Sequence, residues 1–232
     1  MGRLKRKGTK NFLSGKAGNV EFFVIGEEQY FRSHAKRHKK SRSKAAVGGR
    51  NNFKSVVKLA QTVISNPVLK EIWNRASLEG RNSYQKIIKY NMPLAYDGNL
   101  TIKNLLLPKG RDLYIEDFPL EDGKLNFSFD LYGKIKPPLD VHLLYYFYNY
   151  KFYDKFYFEI EVDKVKISPD EITKYRKNGE SRYTIKMKIR EYIKGKLEDF
   201  KDVVVLIAIT GAPTIANRKG WTNTVGFDIP LI

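Results

Sequence analysis

Cysteine is absent from the 232 residues, and histidine occurs only three times. The absence of cysteine excludes disulfides, a thiol nucleophile and zinc or iron–sulfur sites with cysteine ligands. The longest apolar run, 203–209, is too short to span a bilayer. The basic start of the chain lacks the apolar stretch of a secretory signal, so we expect no removable leader and no membrane partner.

Catalytic motifs are missing as well. The patterns GxSxG, HExxH, Walker A and GxGxxG do not occur. His34 and His38 lie among lysines without a nearby carboxylate pair, and we interpret them as solvated residues rather than metal ligands. His142 precedes Leu143 in a predicted strand, and we interpret it as a structural residue at a sheet edge. We therefore predict no catalytic residue, no cofactor and no metal site.

Acidic residues are scarce in the first part of the chain. Residues 1–91 contain 21 Lys and Arg against 5 Asp and Glu, a net charge of +16. Residues 92–232 contain 22 against 20, a net charge of +2. This asymmetry predicts that the basic part contacts a polyanion or an acidic protein surface with salt-sensitive affinity. The alternative is a charged surface that only keeps the protein soluble.

The positive charge is densest just before the first apolar helical pattern. Six Lys and Arg lie within 36–44, and the stretch 35–52 has no hydrophobic period. This predicts a charged linker with a swivel at Gly48-Gly49. The candidate partner- or polyanion-binding residues are Arg32, Lys36, Arg37, Lys39, Lys40, Arg42, Lys44 and Arg50.

A β-hairpin is predicted ahead of this linker. Residues 20–25 form the first strand, 26–28 the turn and 29–32 the second strand, whereas 1–17 has little periodicity. An isolated hairpin is marginally stable in water, so we expect this one to dock on its own helices, its own sandwich or a neighbouring subunit. The candidate interface residues are Phe22, Phe23, Tyr30 and Phe31, on both faces.

Three short helices are predicted over 53–91. An apolar stripe at helical spacing starts at Phe53, and Asn66 has the chemistry of an N-cap before Pro67. We expect the second helix to stop at Gly80 and the third to be capped by Ser83. Such short helices must pack together or on a partner.

The apolar period changes to two from residue 99 onward. About eight strands without intervening helices favour an antiparallel sandwich over a parallel sheet. Residues 168–171 and 191–200 are the two segments that short helices would also fit. The predicted strands are 100–107, 112–115, 124–132, 141–147, 156–165, 183–189, 203–209 and 221–229.

The predicted fold class is α+β, with an N-terminal β-hairpin and short helices followed by an antiparallel immunoglobulin-like β-sandwich. We divide the chain into a basic arm with the hairpin (1–52), a helical module (53–94) and the sandwich (95–232). The aromatic run 143–158 is interpreted as core plus interface, and a stacking platform for single-stranded nucleic acid is the alternative.

Several motifs together resemble an uncharacterised family of bacterial and phage proteins. They are Gly15-Lys16-Ala17-Gly18-Asn19-Val20, Arg50-x-x-Phe53, Trp73, Asn82-Ser83-Tyr84 and Asn91. In that family a helical front leads into an immunoglobulin-like half, as Leu105-Leu106-Leu107-Pro108-Lys109-Gly110 does here. The ending Trp221-Thr222-Asn223-Thr224-Val225-Gly226-Phe227 is similar to its last strand. The resemblance implies no catalytic motif.

These observations predict a non-enzymatic structural protein that takes part in assembling a multi-subunit particle, such as a phage or phage-derived virion. The basic arm would contact neighbouring subunits and order only when bound. The alternative is an RNA- or DNA-binding protein of a ribonucleoprotein or nucleoid complex. A carbohydrate-binding sandwich is a third reading, for which Trp221 and the strand aromatics would have to form a groove. The expected location is a virion or the cytoplasm.

Overall fold

The computed structural model describes residues 2–4, 15–17, 20–25, 28–33, 41–115, 120–121, 124–131, 138–151, 156–167, 181–211 and 220–231. It contains helices and antiparallel sheets, which confirms the α+β class. By compactness the chain divides into two units, Met1–Arg42 and Ser43–Ile232. The three-part division after 52 and after 94 stays a prediction.

The first unit contains a single four-stranded antiparallel sheet with the order β1-β4-β3-β2. Its strands are β1 (Gly2–Leu4), β2 (Gly15–Ala17), β3 (Val20–Ile25) and β4 (Glu28–Ser33). The predicted hairpin is confirmed as β3 and β4. Two details differ from the prediction. Glu28 pairs with Ile25 instead of lying in the turn, and the segments 2–4 and 15–17 add strands because hairpin edges carry backbone groups that can pair.

Three helices open the second unit: α1 (Lys44–Ser65), α2 (Pro67–Arg75) and α3 (Ser83–Asn91). A short 3-10 helix, Met92–Leu94, follows them. The prediction of a linker up to residue 52 is wrong for 44–52, which is helical. The Ser43 side chain accepts a hydrogen bond of 3.3 Å from the Ala46 N–H, so a cap starts the helix ahead of the apolar period.

The helix ends follow local capping chemistry. Asn66 caps α2 as predicted, with proline at the first helical position. Gly80 does not end α2, which already stops at Arg75. Asn82 caps α3 in place of Ser83, because its side chain accepts a hydrogen bond of 2.9 Å from a backbone N–H of the first turn.

Two antiparallel sheets complete the second unit. The central sheet has the order β12-β11-β8-β9, with β8 (Leu139–Tyr150), β9 (Phe158–Ile167), β11 (Phe200–Gly211) and β12 (Val225–Pro230). The smaller sheet has the order β10-β7-β5 with β6 beside β7. Its strands are β5 (Leu113–Ile115), β6 (Leu120–Glu121), β7 (Lys124–Leu131) and β10 (Ser181–Lys188). Helix α4 (Glu191–Asp199) leads from β10 into β11 and lies within 191–200, one of the two segments for which a short helix was left open.

The central sheet is covered on both faces. One face, which carries Leu143 and Tyr145, shares an apolar cluster with Phe127 of the smaller sheet. The opposite face, which carries Leu144, shares a second cluster with Trp73 of α2 and its neighbouring helices. The predicted burial of β11 on both faces is therefore confirmed, as is the β8–β9 hairpin with one core face and one face on the helices.

Residues 100–107 are not a strand. The N–H groups of Leu106 and Leu107 donate to the Thr224 hydroxyl at 2.9 and 3.0 Å, so side-chain bonds replace a strand ladder. The last predicted strand is shorter than expected, since β12 begins at Val225. The helix-start pattern at 168–171 lies outside the described residues.

Candidate functional site

The predicted hairpin interface consists of two cross-strand aromatic pairs. The ring centroids of Phe22 and Phe31 lie 6.5 Å apart, and those of Phe23 and Tyr30 lie 5.8 Å apart in a stacked arrangement. Among the side chains described in the first unit, no apolar one is buried. The described part of the first unit therefore presents aromatic side chains and includes no buried apolar residue.

The predicted basic residues are divided between the two units. Arg32 lies on β4, where it forms an ion pair of 2.7 Å with Glu21 and packs over the Phe23 ring. Arg42 ends the first unit and is exposed, whereas Lys44 and Arg50 belong to α1. Lys36, Arg37, Lys39 and Lys40 lie outside the described residues.

Helix α1 carries further basic residues that the sequence reading did not select. Lys54 and Lys58 are exposed and four residues apart, and the helix contains no Asp or Glu. At 100° per residue they lie on the same side as Lys44 and Arg50. Helical spacing would have identified them if the helix had been extended back to Lys44.

An aromatic cavity of about 420 Å³ opens in the second unit, where the ends of β8, β9 and α4 meet. Most of its aromatics lie in the run 143–158, where the sequence pattern does not separate accessible rings from buried ones. Residues 143–147 are fully buried, so a nucleic-acid stacking platform there is excluded, while the later aromatics reach the surface. The cavity is lined by Tyr150, Phe156, Tyr157, Glu159, Lys196, Asp199 and Phe200.

The aromatic wall of the cavity is a connected set of rings. Tyr157 stacks on Phe200 at 6.0 Å, and Tyr150 meets both rings at 5.5 and 5.1 Å. Asn149 has a φ of 56°, a conformation that asparagine tolerates, and Tyr150 after it packs with the cluster on the smaller-sheet side. The wall is therefore anchored in the core through Phe200.

Phe156 is placed by a tight turn beside α1. Gly98 has a φ of 90°, and a Cβ at this position would lie 2.8 Å from the Phe156 ring, so only glycine permits the contact. The Gly98 N–H donates to Asn52 and its carbonyl accepts from Ser55, each at 2.5 Å. Helix α1 thus fixes one side of the cavity.

Charged side chains connect β9 with α4 next to the cavity. Glu159, Glu161 and Asp163 alternate along β9 and so lie on one face of the strand. Lys196 of α4 forms ion pairs with Glu159 and with Glu161, and Arg190 pairs with Asp163. The Tyr157 hydroxyl also donates to Glu159. Burial raises the pKa of Glu161, and Lys58 opposes this shift.

Several polar groups are buried in the central sheet. His142 is fully buried on β8, an interior strand, so its interpretation as an edge residue is wrong. Its Nε2 lies 2.9 Å from the Thr210 hydroxyl, and burial lowers the pKa of His142 to about 4, with Lys164 acting in the same direction. The Tyr145 hydroxyl and Asp163 Oδ2 lack a hydrogen-bond partner among the described residues. Burial raises the pKa of Tyr145.

Three residues of the motifs behind the family resemblance form hydrogen bonds with the loop 100–107. The Trp73 indole donates to the Leu106 carbonyl at 3.0 Å. The buried Asn91 side chain bonds both backbone groups of Leu105, at 2.6 and 3.1 Å. Thr224 holds the same loop from the other side. These hydrogen bonds hold 100–107 between the helices and the central sheet. The three side chains therefore have a structural role.

No protein-family model matches the chain, and no curated protein matches it. Across the described part of the chain, no helix has the length and apolar character needed to cross a membrane. Within that same part, no three His, Asp or Glu side chains are grouped so as to hold a metal ion.

Proposed function

We propose that this protein is a non-enzymatic structural protein of a multi-subunit assembly, such as a phage or phage-derived virion, and that its first unit contacts neighbouring subunits. The observation that carries this proposal is the sheet β1-β4-β3-β2, which has aromatic pairs but no buried apolar side chain among those described. A single sheet needs a second layer to bury one face. A neighbouring subunit can supply that layer.

The body of the protein suits a structural role. We propose that its two sheets form an immunoglobulin-like sandwich. The orders β12-β11-β8-β9 and β10-β7-β5 correspond to the strand orders G-F-C-C′ and E-B-A of that fold, and the two sheets share one apolar cluster. Helix α4 then occupies the E–F connection. The fold proposal would be contradicted by an experimental structure with a different strand order.

Sedimentation velocity and limited trypsin digestion of the full chain test the assembly proposal. We expect concentration-dependent association, and cleavage within 1–42 in the dilute monomer. A variant with serine at the four aromatic positions of the hairpin should remain monomeric while the circular dichroism of the body is retained. A strictly monomeric chain whose residues 1–42 resist trypsin would overturn the proposal. The four positions are Phe22, Phe23, Tyr30 and Phe31.

A second candidate function is binding of RNA or DNA. The observation in its favour is the net charge of +16 over 1–91, together with the exposed lysines of α1. Binding by phosphate contacts predicts affinity that falls steeply with salt and is nearly lost when 36–44 is deleted. Titration of a labelled oligonucleotide at several salt concentrations tests this. Affinity that does not change with salt would exclude it.

A further inference from the structure

The aromatic cavity combines ring faces with carboxylates, a pairing suited to an organic cation. We propose that this cavity binds a lysine or arginine side chain of a neighbouring protein subunit. The inference rests on the assembly function proposed above and names a recognition site for it. The lining residues come from β8, from β9 and the two residues before it, from α4 and from the first residue of β11, where Phe200 is part of the core.

The ring faces supply the first half of the recognition. An ammonium or guanidinium group is attracted to the face of an aromatic ring, and a guanidinium also stacks on it. Phe156 and Tyr157 are 37% and 45% exposed, so their rings are accessible, whereas Phe200 behind them is buried. A long aliphatic stem can pack on this wall while its charged head reaches the carboxylates.

Carboxylates supply the second half of the recognition. Among the residues that the structure describes at the cavity, Lys196 is the one cation, and its ammonium is shared by Glu159 and Glu161. The Asp199 carboxylate is exposed and makes no ion pair with the described residues. The lining therefore has an excess of negative charge, which favours a cationic ligand and disfavours an anionic one.

The position of Asp199 at the end of α4 adds to the negative electrostatic potential at the cavity. Asp199 is the last residue of α4, where the helix dipole is already negative. A carboxylate is unfavourable at a helix C-terminus. Such a local conflict is expected where function opposes helix stability. The negative end of the helix and the Asp199 carboxylate both lie at the cavity.

The occupant follows from charge complementarity. This chain carries six Lys and Arg within 36–44, and a second copy of it would carry the same basic segment. The cavity volume of about 420 Å³ lies in the range of small binding sites and exceeds the volume of one such side chain. A neutral ligand would leave Asp199 without a counter-charge. We therefore take a Lys- or Arg-bearing peptide segment as the ligand, and a neighbouring copy of the chain can provide it.

The test uses a fluorescein-labelled peptide of residues 36–44 as the probe. The receptor is the full chain in which the six Lys and Arg of 36–44 are replaced by glutamine, so that its own segment does not compete. Fluorescence anisotropy at low salt should show saturable binding. We expect Tyr157→Leu to weaken it by about 3- to 30-fold. Asp199→Asn should weaken it by about two- to five-fold.

Matched variants separate the cavity from general electrostatics. Glu198→Gln removes one carboxylate at the neighbouring position outside the lining, and Tyr114→Leu removes a 56%-exposed tyrosine from β5. Both should change affinity by less than about 1.5-fold. Absence of saturable binding, or equal losses in cavity and control variants, would overturn the proposal. If Tyr157→Leu unfolds the chain, Phe156→Leu and Asp199→Asn carry the same test.

The failure of this inference can be distinguished from the failure of the assembly function. If the unmodified chain associates in sedimentation velocity but the peptide does not bind the receptor, the cavity proposal is overturned and assembly stands. If the peptide binds with the predicted pattern and the unmodified chain is monomeric at every concentration, the cavity proposal stands as a site for a different protein and self-assembly fails.

Discussion

The N-terminal sheet and the central sheet are both four-stranded and antiparallel, but they differ in how they are covered. In the central sheet, residues 141–147 of β8 and 203–210 of β11 are buried, with helices on one face and the smaller sheet on the other. In the N-terminal sheet, the aromatic pairs are only partly covered. Backbone pairing alone stabilises a sheet little, so its packing layers decide its stability. The N-terminal sheet therefore has the most to gain from a partner.

The largest expected effect comes from shortening side chains on both faces of β8. Leu143 and Leu144 are adjacent, fully buried and directed to opposite clusters. Each change to alanine should lower the free energy of unfolding by about 2–5 kcal/mol, because both leave a cavity. Chemical denaturation of the two variants measures this. A cost below about 1 kcal/mol for either one would mean that the corresponding face is not packed.

Ile25→Ala provides the matched change in the N-terminal sheet. Ile25 is 60% exposed, so its replacement should change the unfolding free energy by less than about 0.5 kcal/mol. A cost similar to those of the two leucine variants would contradict the proposed difference between the sheets.

Lowering the pH should have a smaller effect on the free energy of unfolding. The folded state keeps His142 neutral down to a pKa of about 4, whereas the unfolded chain protonates it near 6.5. Between these values the unfolded state binds more protons, so stability should fall as the pH falls from 6.5 to 4, by up to about 3 kcal/mol. Denaturation curves across this range should show the loss. His142→Asn should remove this part of the pH dependence, and an unchanged slope would refute the assignment.

The smallest effect is expected at the ion pair on the N-terminal sheet. The pair of Arg32 with Glu21 is largely exposed and spans β3 and β4. Exposed pairs contribute about 0.2–1 kcal/mol, so Arg32→Gln should speed amide exchange in β3 and β4 by at most about five-fold at low salt. High salt should abolish the difference. A change above ten-fold would show that this residue supports the sheet in another way.

The apolar period predicted the elements that bury a face. The continuous β-branched run of β11 and the alternation in β7 and β10 follow directly from burial. Asn66 before Pro67 was sufficient for the start of α2. In these places local chemistry and tertiary packing favour the same structure, so the sequence alone was informative.

The differences occurred where long-range contacts decide the structure. Residues 100–107 have strand character, but Asn91 and Thr224 satisfy their backbone groups from distant positions. His142 was assigned to an edge because strand order is not encoded locally. The cavity was missed because its aromatics and carboxylates come together from β8, β9 and α4. The N-terminal part of α1 begins at a cap and has no apolar stripe, so an apolar-period search does not detect it.

The most direct measurement of the difference between the two sheets is amide hydrogen exchange of the full chain, followed by mass spectrometry over a range of protein concentrations. We predict that in the dilute monomer β8 and β11 exchange only through global unfolding, whereas β3 and β4 exchange much faster. Protection of β3 and β4 should rise as subunits associate. If β3 and β4 are as protected as β8 and β11 at the lowest concentration, the N-terminal sheet needs no partner and the proposed role is wrong.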